Sequence, residues 1–316
     1  MKELSTPPVL FIIFRRPDNT AKVFAAIREA RPNRLFIAAD GPRPSHPDDA
    51  ERCRQAREVV ANIDWPCEVH KRFLDHNLGC GRAVSSAIHW FFENVEEGII
   101  LEDDILPEPS FFRYCAVLLD RYRDDTRIMN ITGYNPLTRA VGDGSYYPSR
   151  FFHCWGWATW RRVERLYDYE LRSFPALRDS PIFDRAFPRR LQKEHFMAEF
   201  ERYHSRDCGN WDMQWCYMIV AHEGICLNPC VNLIKNIGFG PDSTFAANSA
   251  SYHAHRKTGE LTGMKPPSSL EPNPAVMDEI LAKAYGVSWW RKTFSRLVAP
   301  FAGRILKVIW WLTRKR

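Results

Sequence analysis

Three times in its first hundred or so residues the chain runs through a short apolar stretch and then breaks into polar residues. Residues 9–14 are continuously apolar, as a strand buried on both faces of a parallel sheet must be, and Arg15, Arg16, Pro17, Asp18 and Asn19 follow. Asp18 or Asn19 is placed to cap a helix through about Glu29 that carries Val23, Phe24 and Ile27 on one face. Arg34–Ala39 predicts a second strand, ended by Asp40, Gly41 and Pro42. Residues 47–62 predict a helix with its acids early, and residues 67–73 a third strand. A glycine-containing loop at 77–82 leads into a helix ending near Glu93. The fourth strand, at 99–101, runs straight into Glu102, Asp103 and Asp104. Pro107 follows, and then a helix for which Ser110 is the expected N-cap.

Strands alternating with helices over short connections predict a right-handed, doubly wound α/β sheet with helices on both faces. Each strand then delivers its polar residues to one edge, where open sheets bind ligands. Neither G-x-G-x-x-G nor G-x-x-x-x-G-K-[ST] occurs there, which argues against a dinucleotide dehydrogenase or a P-loop enzyme. Three adjacent carboxylates repel one another and add little stability. Hard oxygen ligands of this kind suit Mg²⁺ or Mn²⁺ together with substrate phosphates.

Downstream, residues 128–132 predict a fifth strand and residues 135–150 an exposed loop with Gly142, Asp143 and Gly144. Trp155, Gly156 and Trp157 suit a flat platform that stacks on a sugar ring. Residues 160–205 are charged and largely helical, and Asp212 opens an apolar helix through about His222, where the helix N-terminus stabilises a carboxylate. Short strands at 225–228 and 231–237 precede a turn-rich segment, 238–244, able to close over a ligand. Residues 246–286 read as a polar linker with one short helix at 274–284.

Composition changes the picture in two places. Nine cysteines, an odd number without a C-x-x-C pair, point to reduced thiols in a cytosolic compartment rather than to disulfides or zinc. The N-terminus enters the first strand without signal-peptide features, and no run reaches the roughly 20 apolar residues that span a bilayer. The net charge of +6 is uneven: residues 289–316 hold eight Lys/Arg and no acid, leaving about −2 for the rest. In that tail Phe294, Leu297, Val298, Phe301, Ile305, Val308, Ile309 and Leu312 fall on one helical arc, flanked by Trp289, Trp290, Trp310 and Trp311. A basic amphipathic helix of this kind suits an anionic membrane surface, and the localised charge does not suit nucleic acid. The organisation expected is one α/β domain at 1–245, in two halves divided at about residue 135. The linker at 246–286 and a membrane-associating tail at 287–316 complete it.

In order and type these segments resemble the N-acetylglucosaminyltransferase I family of GT-A nucleotide-sugar glycosyltransferases. The family's strand running into Glu-Asp-Asp, its Pro-containing stretch and its Phe-Phe-x-Tyr helix read here as residues 99–104, Pro107, Pro109, Phe111, Phe112 and Tyr114. Its Gly-Trp element reads as Trp155-Gly156-Trp157, its Trp-Asp segment as Trp211-Asp212 and its Gly-Phe-Gly turn as residues 238–240. The likeness covers about residues 8–245. It implies that Asp104 coordinates Mn²⁺ (or Mg²⁺) on the donor diphosphate, that Asp103 meets the ribose and that Glu102 meets the donor sugar. It further implies that Arg15 or Arg16 and Asp40 hold the nucleobase side and that Asp212 is the general base of an inverting displacement. The loop at 77–82 departs from the family pattern, so Asn77 and Arg82 are donor-site candidates by position only. Without an anchor or disulfide pattern, the chain looks like a bacterial-type relative. It is expected in the cytoplasm, at the inner face of the plasma membrane, moving a sugar from a UDP-linked or similar donor to a glycan or lipid-linked acceptor. The competing readings are a sugar nucleotidyltransferase and a non-catalytic, membrane-associated nucleotide-sugar binder.

Overall fold

In the computed structural model, which describes residues 4–187, 189–239 and 252–285, the four N-terminal strands are β1 (Val9–Ile13), β2 (Arg34–Ala39), β3 (Glu68–Phe73) and β4 (Glu97–Glu102). They pair in parallel in the order β3-β2-β1-β4. Every residue of β1 is buried, and the helices that connect the strands explain why. α1 (Pro17–Ala30) and α2 (Asp49–Val59) lead from β1 to β2 to β3, and α3 (Cys80–Asn94) carries the chain from the outer strand β3 back across to β4. Right-handed crossovers put α1 and α2 on one face and α3 on the other. The reversal of strand order therefore falls between β1 and β4, and a crevice opens at their carboxyl ends. Phe11, Phe36 and Phe91 are fully buried between the layers, each contributing roughly 1.5–3 kcal/mol by leaving water.

After β4 come β5 (Ile105–Pro107), α4 (Pro109–Arg121), β6 (Ile128–Thr132), β7 (Tyr146–Ser149) and β8 (Trp157–Trp160). Short helical turns α5 (Arg161–Glu164), α6 (Phe174–Leu177) and α7 (Ile182–Ala186) precede α8 (Arg190–Ser205) and α9 (Asp212–Ala221). β9 (Ile225–Pro229), β10 (Ile234–Asn236) and α10 (Pro274–Ala284) complete the described elements. The sheet has eight strands in the order β3-β2-β1-β4-β8-β6-β9-β7; β8 and β7 run against the others, so the doubly wound sheet is mixed. β5 and β10 make a separate antiparallel ribbon, and Ile237 N donates to Asp104 O at 2.8 Å, pinning the turn that carries the carboxylates.

Several local expectations need correction. α1 begins at Pro17, whose fixed φ suits a first helical position. Asn19 does not cap it but donates to Ile237 O at 3.3 Å. α4 begins at Pro109, so Ser110 lies inside its first turn and accepts from Leu261 N at 3.1 Å. Residues 135–150 are not an exposed loop: they supply the edge strand β7, with Tyr146 and Tyr147 buried. Pro148 hides that strand from a propensity reading, yet an edge is where a strand tolerates proline. Residues 252–285 are more than a linker. Arg256 donates to the carbonyls of Asn135 (2.7 Å) and Leu137 (2.5 Å), and α10 buries Val276, Met277, Ile280 and Leu281. The amphipathic tail at 287–316 and most of the 238–244 turn lie outside the described residues. No described helix is long and apolar enough to cross a membrane.

Gly81 joins the two halves. Its amide donates to Gly209 O at 2.9 Å, and a Cβ there would meet Tyr169 Oη at 2.3 Å and Asn210 O at 2.9 Å. The first turn of α3 therefore lies directly against the loop that opens α9 at Asp212.

Candidate active site

The turn leaving β4 sets three carboxylates against one guanidinium. Arg16, just past the end of β1, places Nη1 2.6 Å from Asp104 Oδ2 and Nε 3.4 Å from Asp103 Oδ1. Asp103 is 3% exposed and also accepts from Phe14 N at 3.1 Å. One cation against three acids leaves negative charge uncompensated. Burial, then Asp104 and Asp103, push Glu102 well above the ordinary carboxylate range. Burial likewise pushes Asp103 up, against the pull of Arg16. Burial alone would lower Arg16, but Asp103 and Asp104 outweigh it and hold its guanidinium charged. Gly238 makes room for the pair: a Cβ there would lie 2.1 Å from Asp104 Oδ2 and 2.7 Å from Arg16 Nη1.

Beside this cluster a cavity of about 230 Å³ runs between β1, β2 and α3, and its lining includes Arg16, Arg43, Arg72, Asn77, Glu102 and Asp103. Three guanidinium groups and three carboxylates, Asp40, Glu102 and Asp103, line this one crevice, so it offers both cationic contacts and acids to a ligand. Arg43 is held by Asp49, with Nε–Oδ2 at 2.6 Å and Nη2–Oδ1 at 3.1 Å, and Asp49 is 1% exposed. Arg15 supports the same carboxylate at 3.4 Å and does not line the cavity. The sequence did not single out Arg43, in a proline-flanked loop, or Arg72, in an unremarkable strand, and Asp49 read only as an acid early in a helix.

Asp40 and Asn77 both line this cavity, and they also hold its wall together. Asp40 Oδ1 accepts from Gly41 N and Leu78 N, both at 2.9 Å; Oδ2 accepts from Asn77 Nδ2 at 2.8 Å and Gly79 N at 3.1 Å. Four donors fill the acceptor directions of a carboxylate, so Asp40 is the staple that holds the loop entering α3. Burial, the largest influence, raises its pKa, and those amide bonds oppose the rise. Asp40→Ala is accordingly expected to lower unfolding free energy by on the order of 3 kcal/mol, read by denaturant titration. A nucleobase contact would instead show as lost nucleotide affinity at unchanged stability. Arg82 lies outside the lining of this cavity, 3.3 Å from Asp207 and over the ring of Tyr169.

A second cavity, about 190 Å³, lies across from the carboxylates and includes Asp212, His153, Trp155 and Tyr285 in its lining. Asp212 is the first residue of α9, and its Oδ1 is buried without a hydrogen-bond partner. Burial raises its pKa, opposed by its own amide, the Met213 amide and the Asn210 side chain. Its charge reaches Glu102, and the Cys80 and Cys154 thiols feel both acids, so the two cavities share one electrostatic field. Trp157 is not part of any platform. It is fully buried in β8, the strand inserted between β4 and β6, and packs on Trp211 (5.9 Å) and Trp215 (4.8 Å). Gly156, at φ +59°, turns the chain so that half-buried Trp155 faces the cavity side while Trp157 enters the sheet.

No family model matches the chain, and no curated protein matches it. Three solved structures share its outline distantly. The inositol-1-phosphate CTP transferase from T. maritima is 11% identical with a TM-score of 0.40, over 78% of this chain and 94% of that one. GalNAc-T7, solved with UDP, GalNAc and Mn2+, is 11% identical with a TM-score of 0.41, over 73% and 43%. The 4-diphosphocytidyl-2C-methyl-D-erythritol synthase from Anaerococcus prevotii is 6% identical with a TM-score of 0.35, over 71% and 88%. At that distance none of them bears on what this chain does.

Proposed function

We propose that the protein is a metal-dependent, inverting glycosyltransferase that moves a sugar from a nucleotide-sugar donor to a hydroxyl of a glycan or lipid-linked acceptor. The observation that carries the reading is the pairing of two unlike cavities in one field. One is lined by three arginines and ends at the Glu102–Asp104 turn; the other is lined by a partly buried carboxylate, Asp212. An anionic donor suits the first and a hydroxyl-bearing acceptor the second.

The donor set suits a hard cation. Asp104 offers a carboxylate oxygen, and Arg16 is the one guanidinium set against the three acids of this turn. Among the described residues no three His, Cys, Asp or Glu side chains form a metal cage. A Mg²⁺ or Mn²⁺ site held by one or two carboxylates and substrate phosphates needs none. When bound, the cation would neutralise charge on the leaving diphosphate. The protein's own part is then geometric and protolytic. Arg16 holds the carboxylates in place. The acceptor hydroxyl passes its proton to Asp212 as its oxygen bonds the anomeric carbon, while the bond from that carbon to the diphosphate oxygen breaks with its electron pair. Attack opposite the leaving group inverts the centre.

A nucleotidyltransferase is the weaker alternative, because its glycine-rich phosphate loop has no counterpart here: α1 starts at Pro17, directly after Arg16. Thermal shift with nucleoside diphosphates tests the donor reading, with stabilisation expected only when Mn²⁺ or Mg²⁺ is present. Equal stabilisation in EDTA would remove the metal from the account. The basic tail is proposed to hold the enzyme on anionic lipid at the inner membrane face, each Lys or Arg near the surface contributing about 1 kcal/mol. A chain ending at residue 285 is expected to stop sedimenting with anionic vesicles while still being stabilised by nucleotide. Continued pelleting of the shortened chain would assign the tail another role.

A further inference from the structure

Two buried polar atoms face no partner on the walls of the Asp212 cavity: Asp212 Oδ1 and His153 Nε2. Buried polar atoms are rarely left so without a ligand or water to meet them. The other walls are aromatic and come from distant parts of the chain. Trp155 and Tyr134 stand with their rings 4.8 Å apart at 67°, and Tyr285 arrives from the end of α10. His253 fastens this arrangement, bonding Tyr134 Oη through Nδ1 at 2.6 Å and Ala284 O through Nε2 at 3.0 Å. The segment read from the sequence as a linker thus closes the cavity.

Charge is the second observation. Among the described residues lining this cavity, Asp212 is the one acid and there is no Lys or Arg, whereas the donor crevice next to it has three arginines. Both histidines are driven toward neutrality, His153 down to about 3, chiefly by burial. An anionic acceptor would be repelled by a desolvated carboxylate with no cation to offset it.

Resting on the transferase reading, we infer that this cavity takes a single neutral pyranose, and not a uronic or otherwise acidic sugar. One hydroxyl would meet Asp212 and a second would meet His153, with the ring seated against Trp155. His153 is then a specificity-determining residue. The cavity volume, about 190 Å³, is that of one sugar ring rather than an extended glycan.

Saturation-transfer NMR on the full chain, with Mn²⁺ replaced by diamagnetic Mg²⁺ and with UDP present or absent, tests this with methyl glycosides of glucose, galactose and mannose against methyl glucuronide and methyl galacturonide. Transfer to at least one neutral glycoside and none to either uronide is expected. His153→Phe should remove that transfer, and Trp155→Leu, at a half-buried position, should weaken it at least several-fold if the phenylalanine variant does not fold. Equal transfer to a uronide, no transfer to any neutral glycoside, or unchanged transfer in a folded His153→Phe would overturn the inference. Nucleotide binding is scored separately by thermal shift, so a failure of the transferase reading is not confused with a failure of this one.

Discussion

Asp104→Ala is expected to abolish metal-dependent nucleotide binding while leaving the fold intact. Asp104 pairs with Arg16 at 2.6 Å, next in the chain to Glu102 and Asp103, which line the donor crevice. Loss of an outer-shell partner of a metal ligand typically costs roughly 10–100-fold in affinity, and loss of the ligand itself should exceed that. The fold should persist because Arg16 keeps Asp103 at 3.4 Å and the turn is pinned through backbone, Ile237 N to Asp104 O. Calorimetry of UDP with Mn²⁺ against the variant reads the effect directly. Unchanged affinity would move the metal away from this turn, and an unfolded variant would assign Asp104 a structural role.

The second large effect is expected at Asp212→Asn. A general base acts only in the transition state, so its loss should cut turnover by about 10²–10⁴-fold at nearly unchanged donor affinity. Asp207 is a poor substitute, since its carboxylate already accepts from Gly209 N at 2.8 Å and Tyr169 Oη at 3.0 Å and lies 3.3 Å from Arg82. The pH dependence carries a sign. Burial raises the Asp212 pKa, and a base must be deprotonated to accept a proton. Turnover should therefore fall as pH drops, and the acid limb should lie above the range of an ordinary aspartate. The limb should vanish in the asparagine variant. Near-normal turnover in Asp212→Asn would place the base elsewhere.

β1, β2 and β4 were legible in the sequence because they are largely buried and read as apolar runs with polar breaks at one edge, whereas the outer strand β3 is partly exposed and mixed in character. Glu102, Asp103, Asp104 and Arg16 were legible for the same reason: each lies within a few residues of a strand's carboxyl end. What escaped was nonlocal. β8 is four residues long and buried on both faces, so Trp157 looked like a surface platform when it is fully buried in the core. That Asp40 also holds the loop at 77–79 was not legible, because no sequence pattern reveals that this loop folds back onto its carboxylate. His153, Tyr134 and Tyr285 converge from β-sheet loops and the last helix, and only tertiary packing brings them to Asp212. Arg43 acquires its place at the crevice through buried Asp49, which the sequence shows merely as an acid early in a helix.

The most direct measurement runs two reactions side by side on the full chain: nucleoside diphosphate release from a panel of nucleotide sugars, and pyrophosphate release from nucleoside triphosphates with sugar phosphates, each with Mn²⁺ or EDTA. The account predicts nucleoside diphosphate release from at least one nucleotide sugar, dependent on the cation and lost in Asp104→Ala, with no pyrophosphate released. Cation-dependent pyrophosphate release without turnover of any nucleotide sugar would contradict it.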